Sequence, residues 1–344
     1  MGSSILLENG NKVYALARNK DTKAAKERVI EILKFWDEKV LNKIDNLVVL
    51  EGDITREDLG LDNKIRDLLE SKVEEIFHCA AVAKFNWPIT EIRKINVDGT
   101  KNILELGFRF VKSGRLKRIN HLSTIFVYGD YQGTFKEDDL DFRQKFNNTY
   151  SQSKFEAEKI ISEYQRKGLW INIFRPAIIV GESTTGKITS FDRALYQAVR
   201  TWDLEIFDLY PGKENYFLNI TFIDELCKSI IILSSASSLI SKNYHPFSQQ
   251  KISLARIINI ASVFLGFKKP KLVSTKEFFN NDPTLVQRKL LQYNFSFKDS
   301  SVELDSKATN DLLKAHGFRF SIFNEKLFFN QLNYGVRTGF FKKR

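Results

Sequence analysis

Cysteine is nearly absent: Cys79 and Cys227 stand far apart among 344 residues, each in an apolar context. That leaves no disulfide framework and no cysteine-ligated metal, and both thiols read as reduced core residues of a cytoplasmic protein. Four scattered histidines without ligand spacing give no metal site either. No apolar run is long enough to span a bilayer, and no basic, apolar, small-residue leader opens the chain, so secretion is not indicated. Internal repeats are lacking, as are low-complexity linkers that would separate independent domains. The charge is lopsided, at +11. Yet no helix-turn-helix, aromatic RNA-binding or zinc signature accompanies it, so nucleic acid is not the expected partner. The lysines are mixed with acids, as on a solvated surface, and such a surface favours polyanionic partners.

What remains is a chain with 43% hydrophobic residues, enough for one large or two intimate domains. Strand-like apolar runs near 12–17, 46–50, 75–80, 117–124, 170–175 and 243–247 alternate with helical stretches. Those stretches cover 23–38, 57–70, 90–113, 151–167, 188–201, 223–236 and 252–265. The alternation predicts an α/β fold with a parallel sheet covered on both faces. In the helix from Ala24, residues Val29, Ile32, Leu33 and Trp36 recur at helical spacing and are expected core positions. Phe-rich sequence after 266 ends in Phe340-Phe-Lys-Lys-Arg344. That end reads as a frayed charged terminus, with peripheral membrane contact as its alternative.

Two segments carry chemistry: His121-Leu-Ser-Thr-Ile-Phe-Val-Tyr-Gly129 and Tyr150-Ser-Gln-Ser-Lys154. A Tyr and a Lys four residues apart share one helix face. The cation lowers the phenol's pKa, so the phenol can protonate a developing alkoxide near neutral pH. A hydroxyl at Thr124, ending an apolar strand, bonds the same oxygen; Ser123 is the neighbouring candidate. Each residue also has a bland reading: a solvated helix face for Tyr150 and Lys154, a strand-end hydroxyl bonded to backbone for Thr124.

Around these residues the chain resembles the extended short-chain dehydrogenases/reductases, and within them the thioester reductase group. That group includes terminal reductase domains of peptide and polyketide synthases, carboxylic acid reductases and fatty acyl-CoA reductases. The resembling stretches are Lys12-Val-Tyr-Ala-Leu-Ala-Arg18, Leu50-Glu-Gly-Asp53-Ile-Thr55, Ile76-Phe-His-Cys-Ala-Ala81, Asn96-Val-Asp-Gly-Thr100 and Phe174-Arg-Pro-Ala-Ile-Ile-Val-Gly181. They occur in the family's order over roughly the first two-thirds of the chain. The resemblance implies a Rossmann-type doubly wound sheet over 1–182, completed by about 217–250. A smaller, discontinuous substrate lobe follows in 183–216 and 251–344.

It also implies a nicotinamide cofactor held by Gly2, Arg18, Asp53, Ala80, Ala81, Tyr150, Lys154 and Pro176, with Arg175 and Gly181 closing over its nicotinamide end. Arg18 stands where an acidic residue would select NAD, so NADPH is expected over NADH. Asp53 lies near the adenine or caps the following helix, while Asn96 is expected to tie two strands together. Gly2 matches only the last glycine of the phosphate-binding turn. The first strand and most of that turn would therefore precede residue 1, leaving unpaired ladder groups on both neighbouring strands. A start lying upstream is preferred over a decayed gene or a vector remnant, because the downstream catalytic residues are intact.

The expected reaction is NADPH-dependent reduction of an acyl thioester to aldehyde, which a second hydride could take on to alcohol. Its substrate rides on coenzyme A or an acidic acyl or peptidyl carrier protein. Two rivals stand beside it: a reductase or epimerase acting on a nucleotide sugar or small carbonyl, and an inactive Rossmann-like binding protein.

Overall fold

The computed structural model describes residues 1–20, 23–236, 240–291 and 302–344. Contacts divide the chain into two units that alternate along it. The first comprises residues 1–127, 148–175 and 230–244; the second comprises 128–147, 176–229 and 245–344. Part of the expected substrate lobe, 292–301, lies outside the described residues.

The first unit begins with helix α1 (Gly2–Glu8), strand β1 (Val13–Ala17), α2 (Ala25–Trp36), β2 (Leu47–Glu51), α3 (Asn63–Lys72) and β3 (Glu75–His78). Helices α4 (Ile89–Arg93) and α5 (Gly99–Val111), strand β4 (Arg118–Leu122) and α6 (Thr149–Arg166) follow. Strands Ile171–Phe174 and Asn243–Tyr244 complete the set. All pair in parallel, with helices in the crossovers, which is the expected α/β architecture. The ladder has two parts: β1 with β2, and β3, β4, Ile171–Phe174 and Asn243–Tyr244 in that order. Among the described residues, no strand pairs with the second edge of β1 or of β3.

The core of this unit lies between the sheet and helices α5 and α6. Leu104 and Phe110 of α5 and Ile161 of α6 pack with Ile119, Ile171 and Ile173 of the sheet. Burying each such side chain contributes roughly 1.5–3 kcal/mol. Gly107 permits the close approach of α5, since a Cβ there would stand 2.5 Å from Ile119 Cδ1.

Several sequence expectations are corrected. The helix over 57–70 does not form as one piece, because Asp58, Leu59 and Gly60 all adopt positive φ. Helix α3 starts afresh at Asn63, where the Asp62 carboxylate accepts from Ile65 N at 2.9 Å. The helix over 90–113 is present but contains one wide π-type turn, Lys94–Asp98, between α4 and α5. In α2, Leu33 is buried but Ile32 is 49% exposed, so the apolar stripe is narrower than its spacing suggests. Cys79 is exposed just beyond β3 and Cys227 is half-buried; neither is a core thiol.

The second unit is built on helices Ala194–Asp203, Leu254–Leu265, Lys307–Ala315 and Glu325–Arg337, with short two-stranded ladders. The helix expected at 188–201 begins only at Ala194. Tertiary contacts claim the preceding residues: Phe191 stacks on Phe340 at 4.3 Å, and its carbonyl accepts from Gln197 Nε2 at 3.1 Å. The terminus is docked, not frayed. Phe341 is buried, and the fully buried Asp203 carboxylate accepts from Lys342 N at 3.0 Å and Arg344 Nη1 at 3.4 Å. No helix among the described residues is long and apolar enough to cross a membrane.

Candidate active site

Helix α6 starts where the Asn148 side chain accepts from Ser151 N at 2.8 Å, satisfying one of the orphan donors of its first turn. Tyr150 and Lys154 then lie one turn apart on one face. Lys154 turns into the protein: it is 1% exposed, and its Nζ stands 2.7 Å from Leu122 O and 3.1 Å from His121 Nε2. The lysine is thereby anchored to the end of β4, two residues before Thr124. Burial lowers its pKa from the ordinary 10.5 to about 8, against the pull of Glu158 in the opposite direction.

One turn further along α6, Glu158 is fully buried and paired with Arg175, Nη2 to Oε2 at 2.7 Å and Nε to Oε2 at 3.0 Å. Ser123 Oγ donates to the same carboxylate. This network separates the two hydroxyl candidates. Ser123 is committed to the core, whereas the Thr124 hydroxyl makes one hydrogen bond among the described residues, accepting from Phe126 N at a long 3.4 Å. Arg175, expected to close over a cofactor, instead neutralises Glu158, and Pro176 beside it is buried as the first residue of the second unit.

Tyr150 is half-buried, with its ring edge-on to Phe85 at 5.8 Å. The loop carrying Phe85 is fastened to the start of α6. Thr149 N reaches Phe85 O at 3.2 Å, and Thr149 Oγ1 lies 3.0 Å from Phe85 O and 2.9 Å from Trp87 O. Asn96, in the wide turn between α4 and α5, braces the same region. Its side chain accepts from Val82 N at 2.8 Å and donates to Val82 O and Ser153 Oγ, each at 2.9 Å. Ser153 Oγ in turn donates to Tyr150 O at 2.8 Å. Asn96 thus ties the loop after β3 to α6, not strand to strand.

In the separate β1–β2 ladder, Arg18 follows β1 and Asp53 follows β2, with 3.5 Å between Nη1 and Oδ2. Asp53 also accepts from Thr55 N at 2.9 Å and Thr55 Oγ1 at 2.8 Å. Partial burial works to raise its pKa, but the bonds from Thr55 and Arg18 prevail and hold it below the ordinary carboxylate value. The Arg18 guanidinium is 60% exposed. Ala80 and Ala81 are exposed beyond β3, and Gly2 is the first residue of α1. These residues suit a nicotinamide cofactor in two places. The Thr124, Tyr150 and Lys154 groups are of the chemistry that a reacting end would use, and the exposed Arg18 is of the charge that a ribose phosphate would meet.

Sequence reasoning missed the core that supports these groups. Glu158 carried no signal beyond helical spacing from Lys154, and the pairing of Arg175 with it joins two strictly tertiary neighbours. His78 and His121, apart in sequence, are register partners on β3 and β4 with ring centroids 5.0 Å apart.

The profile of a family described as male sterility protein, an NAD-binding domain, matches residues 3–230. A component of the linear gramicidin synthase of Brevibacillus parabrevis is 26% identical over 68% of this chain and 4% of its own length. A carboxylic acid reductase of Segniliparus rugosus is 30% identical over 70% of this chain and 22% of its own length. The chain therefore spans less than a quarter of either curated relative. Among solved structures, the terminal R domain of a myxalamid PKS-NRPS pathway superposes with a TM-score of 0.84. It covers 100% of this chain and 90% of its own at 24% identity. MoeE5 in complex with UDP-glucose and NAD gives 0.66 over 98% of this chain and 94% of its own, at 16% identity. These likenesses show a shared fold. The chain belongs to the male sterility protein family of NAD-binding domains, the thioester-reductase group of the extended short-chain dehydrogenases/reductases.

Proposed function

We propose that this chain reduces an acyl thioester, carried on coenzyme A or an acidic carrier protein, to the aldehyde and onward to the alcohol with NADPH. The observation that carries the reading is the convergence of Lys154, with Tyr150 one turn before it, on the end of β4 that bears the uncommitted Thr124 hydroxyl. When bound, the cofactor supplies hydride. Thr124 and Tyr150 donate to the thioester oxygen, stabilising the negative charge that develops there. Tyr150 protonates that oxygen to give a hemithioacetal, with the Lys154 cation one turn behind it favouring the ionised phenol. The phenolate then takes the proton back as the C–S bond breaks, leaving aldehyde and a thiolate that is protonated to the free thiol. Phe85 packs edge-on against the Tyr150 ring at 5.8 Å. Exposed Arg18 favours a ribose 2′-phosphate, hence NADPH, and the net positive charge suits coenzyme A or an acidic carrier. A cytoplasmic setting belongs to the same proposal.

A second reading, a nucleotide-sugar reductase or epimerase, draws on the likeness to MoeE5, which is bound to UDP-glucose. Its lower superposition score ranks it second. The test is to incubate the protein with NADPH and either a medium-chain acyl-CoA or UDP-glucose, following NADPH absorbance and free thiol together. The reading expects NADPH loss with thiol release from acyl-CoA, one NADPH per thiol for the aldehyde and two for the alcohol. Turnover of the sugar nucleotide alone would replace it with the second reading.

A further inference from the structure

The Thr–Tyr–Lys chemistry does not call on His121, yet His121 is the side chain that Lys154 meets. It projects from β4, is 1% exposed, and presents Nε2 at 3.1 Å to Lys154 Nζ. An ammonium has donors and no acceptor, so the imidazole must accept through Nε2 and carry its own proton on Nδ1. That Nδ1 is buried without a hydrogen-bond partner among the described residues. A buried unpaired donor is costly and needs a compensating interaction. The bond accepted from Lys154 is the interaction that fixes this tautomer.

We propose that His121 is the positioning residue for Lys154, holding its ammonium against the end of β4 through the Nζ–Nε2 hydrogen bond. The inference rests on the reductase reading for its consequence in turnover, but its geometry stands apart from any substrate.

The surroundings single out His121 for this task. From β3 the imidazole faces His78, whose Nε2 lies 3.0 Å from Thr100 Oγ1. The Thr100 hydroxyl donates to Asn96 O at 2.7 Å, so its oxygen accepts from His78 Nε2, and burial keeps that ring neutral. Cys79 follows directly on β3. From α6 come Lys154 and, a turn on, Glu158, which is tied up by Arg175 after strand Ile171–Phe174 and by Ser123 after β4. Helix α5 contributes the uncharged Thr100. Beside the Leu122 carbonyl, His121 is thus the neutral acceptor that keeps a cation in a place where burial disfavours one. Burial and the neighbouring ammonium also keep His121 itself uncharged, with a pKa well below 6.5. The acceptor therefore stays available throughout the neutral range.

Substituting His121→Leu removes the acceptor; His121→Gln keeps one, because the Gln amide oxygen reaches about as far as Nε2. Two readouts are compared across pH. One is the kcat/KM profile with NADPH and acyl-CoA. The other is the titration of the Lys154 side-chain nitrogen by 15N NMR, assigned with Lys154→Met. Wild type and His121→Gln are expected to share one alkaline limb. In His121→Leu, that limb and the nitrogen titration both move to lower pH, so activity near pH 8 falls several-fold while activity near pH 6.5 changes little. If His121→Leu folds and leaves the nitrogen titration where it is in wild type, the inference is overturned. If the nitrogen titration moves but wild type shows no thioester turnover, the reductase reading fails and the positioning role stands.

Discussion

The two ends of the expected cofactor track are built on opposite plans. At the β4–α6 end, Lys154, Glu158 and Arg175 are all at most 1% exposed, and each charge meets a partner within 3.2 Å. At the β1–β2 end, Arg18 is 60% exposed and its contact to Asp53 is a loose 3.5 Å. Buried charges bonded at short range cannot reorient without leaving a partner uncompensated, so the reacting end is organised before any ligand arrives. An exposed cation gains little from its pair and is readily given over to a phosphate. One end fixes geometry; the other offers charge.

That contrast breaks most sharply at Glu158. Glu158→Ala leaves the Arg175 guanidinium buried without its counterion, and urea unfolding is expected to show a loss of about 3–5 kcal/mol. A loss near zero would mean that the pair is solvated and the reacting end is not rigid. The histidines sharpen the same point through pH. Burial above all holds the pKa of His78 at about 3, against 6.5 in the unfolded chain. Between those values the unfolded state binds more protons, so stability should fall as pH drops through that window. His121 adds a loss of the same sign. His78→Gln keeps a donor for Thr100 but cannot titrate, and should flatten the slope of unfolding free energy against pH by roughly 1 kcal/mol per unit. An unchanged slope between pH 6 and 4 would contradict the buried neutral ring. The open end should respond least: Arg18→Ala is expected to alter stability by no more than about 0.5 kcal/mol. The same variant should weaken NADPH binding about tenfold, roughly 1.4 kcal/mol, while sparing NADH. Equal effects on both cofactors would remove the 2′-phosphate role.

The same contrast explains what the sequence revealed. Strand and helix positions in the first unit were legible because apolar runs and helical spacing are local signals; β1 and β2 lie within one residue of expectation at either end. Tyr150 and Lys154 were legible as a pair because helix geometry ties residues four apart. Their supports were not. Glu158 meets Arg175 across 17 residues, and Asn96 meets Ser153 across 57. Neither distance leaves a pattern in one sequence. The docked terminus was misread for the same reason: Arg344 finds Asp203 across 141 residues, while its own neighbourhood reads only as charge. The broken helix at 57–70 failed differently. Helical spacing was present, but consecutive positive-φ residues, two of them not glycine, overrode it.

The account stands or falls on the phenol. With NADPH and a medium-chain acyl-CoA, the wild-type chain should consume one or two equivalents of cofactor for each thiol released. Tyr150→Phe, which removes one hydroxyl from a half-buried ring, should lower that rate by about 10²–10⁴-fold with thermal stability intact. A Tyr150→Phe variant that reduces the thioester at the wild-type rate would place the chemistry elsewhere.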